Sequence, residues 1–517
     1  MSRYVGETYR IPLEQGGFNH NKNVDTVPPS DFVHPSINLW MNEGGIRKRG
    51  GTAIVDTSAS MDGSNVTGIF DFLGASQYLV RATANGKLWS DVATTFKTGW
   101  TADQKVHFMQ WDDELYCCNG ADTPTVWSEA TISVDMTAIP SDWTGTNFPS
   151  QMIQHGSSNS LRNWAIGCPS TPKTVYVTPD GTPKDFSDVN VLTFFIETGD
   201  GYGIVGGVEY GDRLVLFGKT KSFIMNDTDT NTDNWGYTES QWYGGAANWR
   251  LIVRTPNDIV CMMEDGEIYS VSAAETYGDY KAASLVRPSY LQEWIKTYVN
   301  LAYINDFHGI YDPVLRAVKI FVVRNGQTEV DTALCYFIDR PPEKAWTIVG
   351  NHDYESGYSA LSSCRVRVSA GSWKIYTGGY NGKVWRLGEV NRNDNSAAFV
   401  SRYRTTQLPF DNVRDSKRYD RMRLVSTQDG SCDASIRSWI DGYLQDVQTL
   451  EFAASGAYLG SFVLGTDVLG GVEVLEDTIS IGRIGKRIAI EIANAVANED
   501  FFFSQLMIDF LPIGKMI

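Results

Sequence analysis

The residues best suited to chemistry lie in a few short stretches of this 517-residue chain. Gly201-Tyr202-Gly203-Ile204-Val205-Gly206 has the spacing of a dinucleotide-binding turn, in which glycines let the backbone approach a pyrophosphate at a helix N-terminus. Strand-forming residues follow it instead of a helix, so the element that would hold the phosphates is missing. The acidic loop 227–236 places side-chain oxygens at alternate positions, as a calcium loop does. Thr232 stands where such a loop needs glycine and Thr238 where it needs glutamate, which favours a solvated turn over a cation site. Asp112-Asp113-Glu114 and the pair Glu197 and Asp200 offer neighbouring carboxylates, the equipment of glycoside hydrolysis. Acidic residues in hairpin turns are common, and proximity in sequence does not supply the separation the reaction needs. Trp235, Trp242 and Trp249 could stack on sugars, with core packing as the alternative. Arg47-Lys48-Arg49 is a dense basic spot in an acidic chain and reads either as a solvated turn or as a partner contact. The six histidines (His20, His34, His107, His155, His308, His352) are scattered. The seven cysteines, Cys117-Cys118 among them, lack metal-ligand spacing and read as free buried thiols of a protein made in a reducing compartment. No GxSxG, HExxH or CxxC occurs. The sequence therefore assigns no catalytic, cofactor or metal residue, and only Arg47, Lys48 and Arg49 as a candidate partner contact.

The elements that must position these residues are strands. Residues 204–225 read IVGGVEYGDRLVLFGKTKSFIM, three short apolar runs separated by Gly-Asp and Gly-Lys turns. The middle run, Leu214-Val215-Leu216-Phe217, is apolar at every position, so both of its faces should be buried. One meander hides too little surface to stand alone, and similar units recur from about residue 64 to 387. A shared turn marks three of them: Asn85-Gly86-Lys87-Leu88-Trp89, Asp265-Gly266-Glu267-Ile268-Tyr269 and Asn381-Gly382-Lys383-Val384-Trp385. These read as type I′ turns with an aromatic anchor on the returning strand. Units of roughly 40–50 residues imply about six to eight blades. The fold class is thus all-β: a degenerate β-propeller over residues 56–395, with insertions near 130–160 and 273–300. It is preceded by an extended, proline-punctuated arm (1–55). A C-terminal β-sandwich-like domain (396–517) follows, whose strands alternate apolar and polar residues.

Composition narrows the function. A formal charge of −17 argues against a protein that grips nucleic-acid phosphates, though not against one that nucleic acid merely passes. The first residues lack a signal-peptide core, and no window approaches the roughly 18 apolar residues of a transmembrane helix.

In order, INLWMNEGGIRKRGG, LRNWAIG with KTVYVTPDGTPKDFS, the 204–225 stretch, NDIVCMMEDGEIYSV, IYDPVLRAVKIFVV with ALCYFID and AWTIV, and NGKVWRLG with RYRTTQLPF resemble the tail-nozzle or tail-hub proteins of short-tailed bacteriophages, the tail tubular protein B-like family. The resemblance implies a non-enzymatic virion protein, made in the host cytoplasm and built into the tail. It implies a homohexameric ring below the portal and adaptor, with tail-fibre proteins as further partners and genomic DNA passing through without specific binding. Two alternatives come from other classes: a propeller that binds host-surface glycans, and a propeller that degrades polysaccharide.

Overall fold

The computed structural model describes residues 6–513 apart from 43, 57–60, 92, 158–159, 351–359, 411–412, 428–431 and 453–473. The meanders fold as seven antiparallel sheets, six of four strands and one of three. In chain order their first strands are Val66–Leu73, His107–Trp111, Gln151–Ser157, Gly206–Tyr210, Ile252–Arg254, His308–Asp312 and Ser362–Ser369. These seven strands lie against one another in succession all the way round, and the last meets the first, so the ring is closed. The fold is a seven-bladed β-propeller, and the sheets are numbered here as blades 1 to 7.

Blade 4 shows why the sequence folds this way. Its strand Arg213–Phe217 is buried at Leu214, Val215, Leu216 and Phe217. Successive side chains of a strand point to opposite faces. Leu214 and Leu216 therefore join Trp164 and Val175 of blade 3, while Val215 and Phe217 join Ile259 and Tyr269 of blade 5. A blade is a sheet filled on both faces, which is why the run contains no polar position. The Gly201–Gly206 spacing also has a packing reason. A Cβ on Gly203 would stand 2.1 Å from the Pro172 carbonyl oxygen, and one on Gly206 would stand 2.7 Å from Trp249 Cβ. Gly206 opens a strand, so no helix follows to receive a pyrophosphate.

The three recurrent turns differ from the expected type I′. Gly86, Gly266 and Gly382 have φ of 73°, 81° and 72°, whereas Asn85, Asp265 and Asn381 are absent from the positive-φ residues. Gly86 N–H donates to Thr83 O at 3.0 Å and Gly266 N–H to Met263 O at 3.0 Å. Each of these two is a type I turn ending in a left-handed glycine, the bulged form of the hairpin. The Asn or Asp occupies an ordinary turn position, and the glycine alone takes the left-handed one.

Residues 1–55 do not form a free arm. Strand β1 (Glu7–Pro12) pairs along Phe502–Ile513, the last strand of the chain, with Glu7 opposite Phe510 and Pro12 opposite Gln505. Strands β2 (Leu39–Asn42) and β3 (Gly45–Lys48) extend the same sheet beyond that last strand. Strand β4 (Gly51–Asp56) is the outer strand of blade 7, paired with Val384–Glu389. The N-terminal segment thus belongs to the sandwich and to the propeller at once. Its sheet, with Ser416–Thr427 and Val474–Gly485, faces a second one built from Ser401–Arg404, Ile488–Asn494, Cys432–Ile440, Tyr443–Leu444 and Gln448–Phe452. The largest core of the molecule runs from blade 6 (Trp346) through Phe18 and Phe32 of the N-terminal segment to Tyr403 and Ile490 of the sandwich. Within the expected 273–300 insertion, α1 (Val271–Tyr277) and α2 (Leu291–Tyr298) follow blade 5, and Leu291, Trp294 and Ile295 of α2 join that core.

Candidate functional site: the central cavity of the propeller

The buried polar groups of this protein fall into two arrangements. The first is the seam between propeller and sandwich. Arg49 is only 2% exposed, and its guanidinium donates to both carboxylate oxygens of Asp394, with the Nη1 bond at 2.9 Å. Nε donates to Asn38 Oδ1 at 2.9 Å, and the guanidinium lies 3.8 Å over the Phe399 ring. Asn38 also receives the Gly350 N–H at 3.0 Å and donates from Nδ2 to Gly350 O and Val400 O, joining blade 6 to the sandwich. Lys48 is fully buried and donates to Asn494 Oδ1 and Val496 O, both at 2.7 Å. Burial, helped by the neighbouring Arg49, lowers its pKa to about 8. Arg47 alone of the basic cluster is substantially exposed, and it pairs with Asp500. The cluster read as a partner contact is, for Lys48 and Arg49, internal mortar. Apart from Asn38 and the Gly50 carbonyl, their hydrogen-bond partners lie more than 340 positions away in sequence, where spacing gives no hint of them.

The second arrangement is a cavity of about 740 Å³ at the centre of the ring, lined by the inner strands of blades 1, 2, 5, 6 and 7. Gly309 allows these strands their approach: a Cβ there would stand 2.4 Å from Val253 Cγ2. Thr67, His107, Arg250 and His308 each sit at or just before the start of their blade's inner strand, so they gather at one end of the channel. The exposed Arg254 and Arg365 and the Trp373 ring mark the other end. Trp249 packs edge-on against His107, with centroids 5.0 Å apart.

The cavity wall holds a set of unanswered polar atoms. Thr67 Oγ1, His107 Nδ1, Arg250 Nη1 and His308 Nε2 are all buried without a hydrogen-bond partner. A buried orphan of this kind costs about 1–3 kcal/mol, so four around one cavity call for an explanation. Arg250 is 8% exposed, and its other terminal nitrogen donates to the Leu361 carbonyl. Burial lowers the Arg250 pKa to about 10, which leaves it charged at neutral pH. The nearby carboxylate, Asp306, is held 2.8 Å from Lys105, which also feels the charge of Asp103. Burial brings His107 down to about 4, and burial with the Arg250 charge holds His308 well below the ordinary histidine range. Both rings are neutral at pH 7. The floor therefore holds a buried guanidinium beside two neutral imidazoles and a hydroxyl.

None of the carboxylates singled out in the sequence lines this cavity. Glu114 accepts from Lys184 at 2.6 Å and from the Tyr116 hydroxyl at 3.1 Å. Glu197 accepts from Lys173 at 2.6 Å, and Asp200 from Thr220 at 2.6 Å. In the acidic loop, Asp227 lies 3.2 Å from His155 Nε2, and Asp229 accepts the Asn231 N–H and the Asn234 amide. Among the described residues no group of three or more His, Cys, Asp or Glu could hold a metal ion. All seven cysteines are buried and free. Trp242 is buried, and Trp235 stacks on Trp164 with centroids 6.1 Å apart beneath Arg162, so neither offers a free face. Trp249 does line the cavity. His107 and His308 were the missed signal, since each opens the first strand of its unit.

The fold and its cavity define the class, a seven-bladed β-propeller fused to a β-sandwich. No family model and no curated protein matches the chain. Solved structures with a similar fold include a galactose-bound exo-β-1,3-galactanase from Phanerochaete chrysosporium (10% identity, TM-score 0.26, covering 79% of this chain and 96% of that one). They also include the complex of BBS1N with ARL6DN (8%, TM-score 0.38, 69% and 98%) and the extracellular domain of a hybrid two-component system from B. thetaiotaomicron (9%, TM-score 0.42, 83% and 51%). Likenesses at this level carry no inference about what this chain does. No helix of the described residues is long and apolar enough to cross a membrane.

Proposed function

We propose that this protein is a non-enzymatic wall subunit of a ring-shaped conduit, the tail nozzle of a short-tailed bacteriophage, built from six copies below the portal and adaptor. The observation that carries the reading is two groups of exposed apolar side chains, one on the propeller and one on the sandwich. One lies on blades 3 and 4 and the α1 insertion, where Phe195, Tyr202, Tyr243 and Tyr277 are each more than half exposed. The other lies on the sandwich, where Tyr443, Leu444, Val447 and Ile484 are equally bare. A closed ring of identical subunits needs two different patches that meet head to tail. The seam fixes the angle between the two patches, as a ring of set size requires. Tail-fibre proteins would occupy outer faces, and the acidic chain would let DNA slide by without adhering. Electron microscopy and mass measurement of purified particles should find the chain in the virion tail as a hexameric ring. A monomer absent from virions rules the reading out.

A second reading, a propeller that binds a host-surface glycan, is favoured by the aromatic and polar lining of the central cavity. A volume of about 740 Å³ falls within the range that holds small ligands. The polysaccharide-degrading reading gains no such support, since none of the carboxylates proposed for it lines the cavity.

A further inference from the structure

We propose that the central cavity binds a carboxylated saccharide unit, a uronic acid or a similar acidic sugar, whose carboxylate is taken by Arg250 at the floor. The inference rests on the glycan-binding reading and specifies its ligand. Three observations converge on it.

The orphaned groups are the first. Thr67, Arg250 and His308 are each more than nine-tenths buried, each lines the same cavity, and each keeps a buried polar atom without a partner. Three blades and the turn before a fourth supply them with His107, so one local distortion does not account for the set. Charge is the second. Asp306 is engaged by Lys105 at 2.8 Å, and among the described residues the Arg250 guanidinium makes no ion pair with a carboxylate. A guanidinium is suited to a planar carboxylate, which it can grip through two parallel N–H bonds. The remaining lining is the third. Trp249, Trp373 and Tyr311 offer aromatic surface for the C–H faces of a sugar ring, while a hydroxyl and two neutral imidazoles can both give and accept hydrogen bonds. An isolated inorganic anion would leave that aromatic surface unused. The net charge of −17 disfavours a long polyanion lying across the surface, but screening within about 8 Å lets a single acidic unit reach the Arg250 guanidinium. The ligand is therefore a terminal or short acidic saccharide.

The test is calorimetric titration of the full chain with a galacturonate or glucuronate disaccharide, the matching neutral disaccharide, and inorganic phosphate. Binding of an acidic disaccharide is expected, at least tenfold tighter than the neutral one. Arg250→Gln should abolish that preference, and Trp373→Ala, at the more open end, should weaken binding severalfold while the fold stays intact. Trp235→Ala, outside the cavity, should change nothing. Equal affinity for acidic and neutral sugars would overturn the carboxylate assignment while leaving the glycan-binding reading in place. Phosphate binding without saccharide binding would overturn the saccharide. Binding of none of the three would overturn the proposal and the glycan reading together. An Arg250→Gln protein that folds and keeps full acidic preference would overturn the role of Arg250. Ring assembly, read separately by mass, is independent of all of these outcomes.

Discussion

Arg49 at the seam and Arg250 in the cavity are both buried, and the protein treats them in opposite ways. Arg49 meets a full set of acceptors: Asp394, Asn38, a backbone carbonyl and an aromatic face. Arg250 meets one carbonyl and keeps a buried nitrogen unpaired in a residue that lines the cavity. A desolvated charge with every bond made fixes two elements in register. One with bonds left over is poised for something else. Burial does not separate architecture from function here; satisfaction of the buried group does.

The sharpest way to break the comparison is at the seam. Asp394→Ala strands a buried guanidinium and should cost about 3–5 kcal/mol in denaturant unfolding. A loss near zero would mean that the seam is not structural. Leu216→Ala, an apolar change in blade 4 far from either arginine, should cost about 2–5 kcal/mol. If its unfolding transition stays put, the two-faced packing of the blade is wrong.

Next comes pH, where the two regions should respond in different windows. Lys48 has a folded pKa of about 8, below its unfolded value. Between pH 8 and about 10.5 the unfolded chain holds more protons, so stability should rise with pH there, and Lys48→Met should remove the rise. His107, with a folded pKa of about 4, should make stability fall as pH drops from about 6.5 to 4, with His308 adding to the same trend. Stability curves of His107→Gln that keep the full slope would remove the cavity from that account. The smallest effect should come from Arg250→Met. Replacing an incompletely paired buried charge with an apolar chain should change stability by less than about 1 kcal/mol, in either direction. A loss as large as that of Asp394→Ala would make the two arginines alike.

The blades were legible because each is a local object. Neighbouring strands pair with one another, left-handed glycines end the turns, and runs such as residues 214–217 announce that both faces are covered. The N-terminal segment was not legible as part of two domains. Ile11, Leu13, Phe18 and Phe32 are spaced by prolines and polar residues, and their partners come from the far end of the chain. Strand β4 fell at the end of the stretch read as an extended arm, yet it completes blade 7. Lys48 and Arg49 looked solvent-facing because a dense charge run in an acidic chain usually is. The cavity was hidden for a different reason. Its residues come from five blades, with none from blades 3 and 4 between His107 and Trp249, and only closure of the ring brings them together.

The order in which the chain is made gives the pairing of β1 with the last strand a consequence in time. At about 5–20 residues per second, the sheet positions of β1 wait roughly 25–100 seconds for residues 502–513 to be translated. Over that interval the β1 backbone lacks the strand it pairs with. Neighbouring copies on the same message expose the same strands at the same moment. Correct assembly therefore depends on each nascent chain keeping its opening segment to itself until its own last strand arrives.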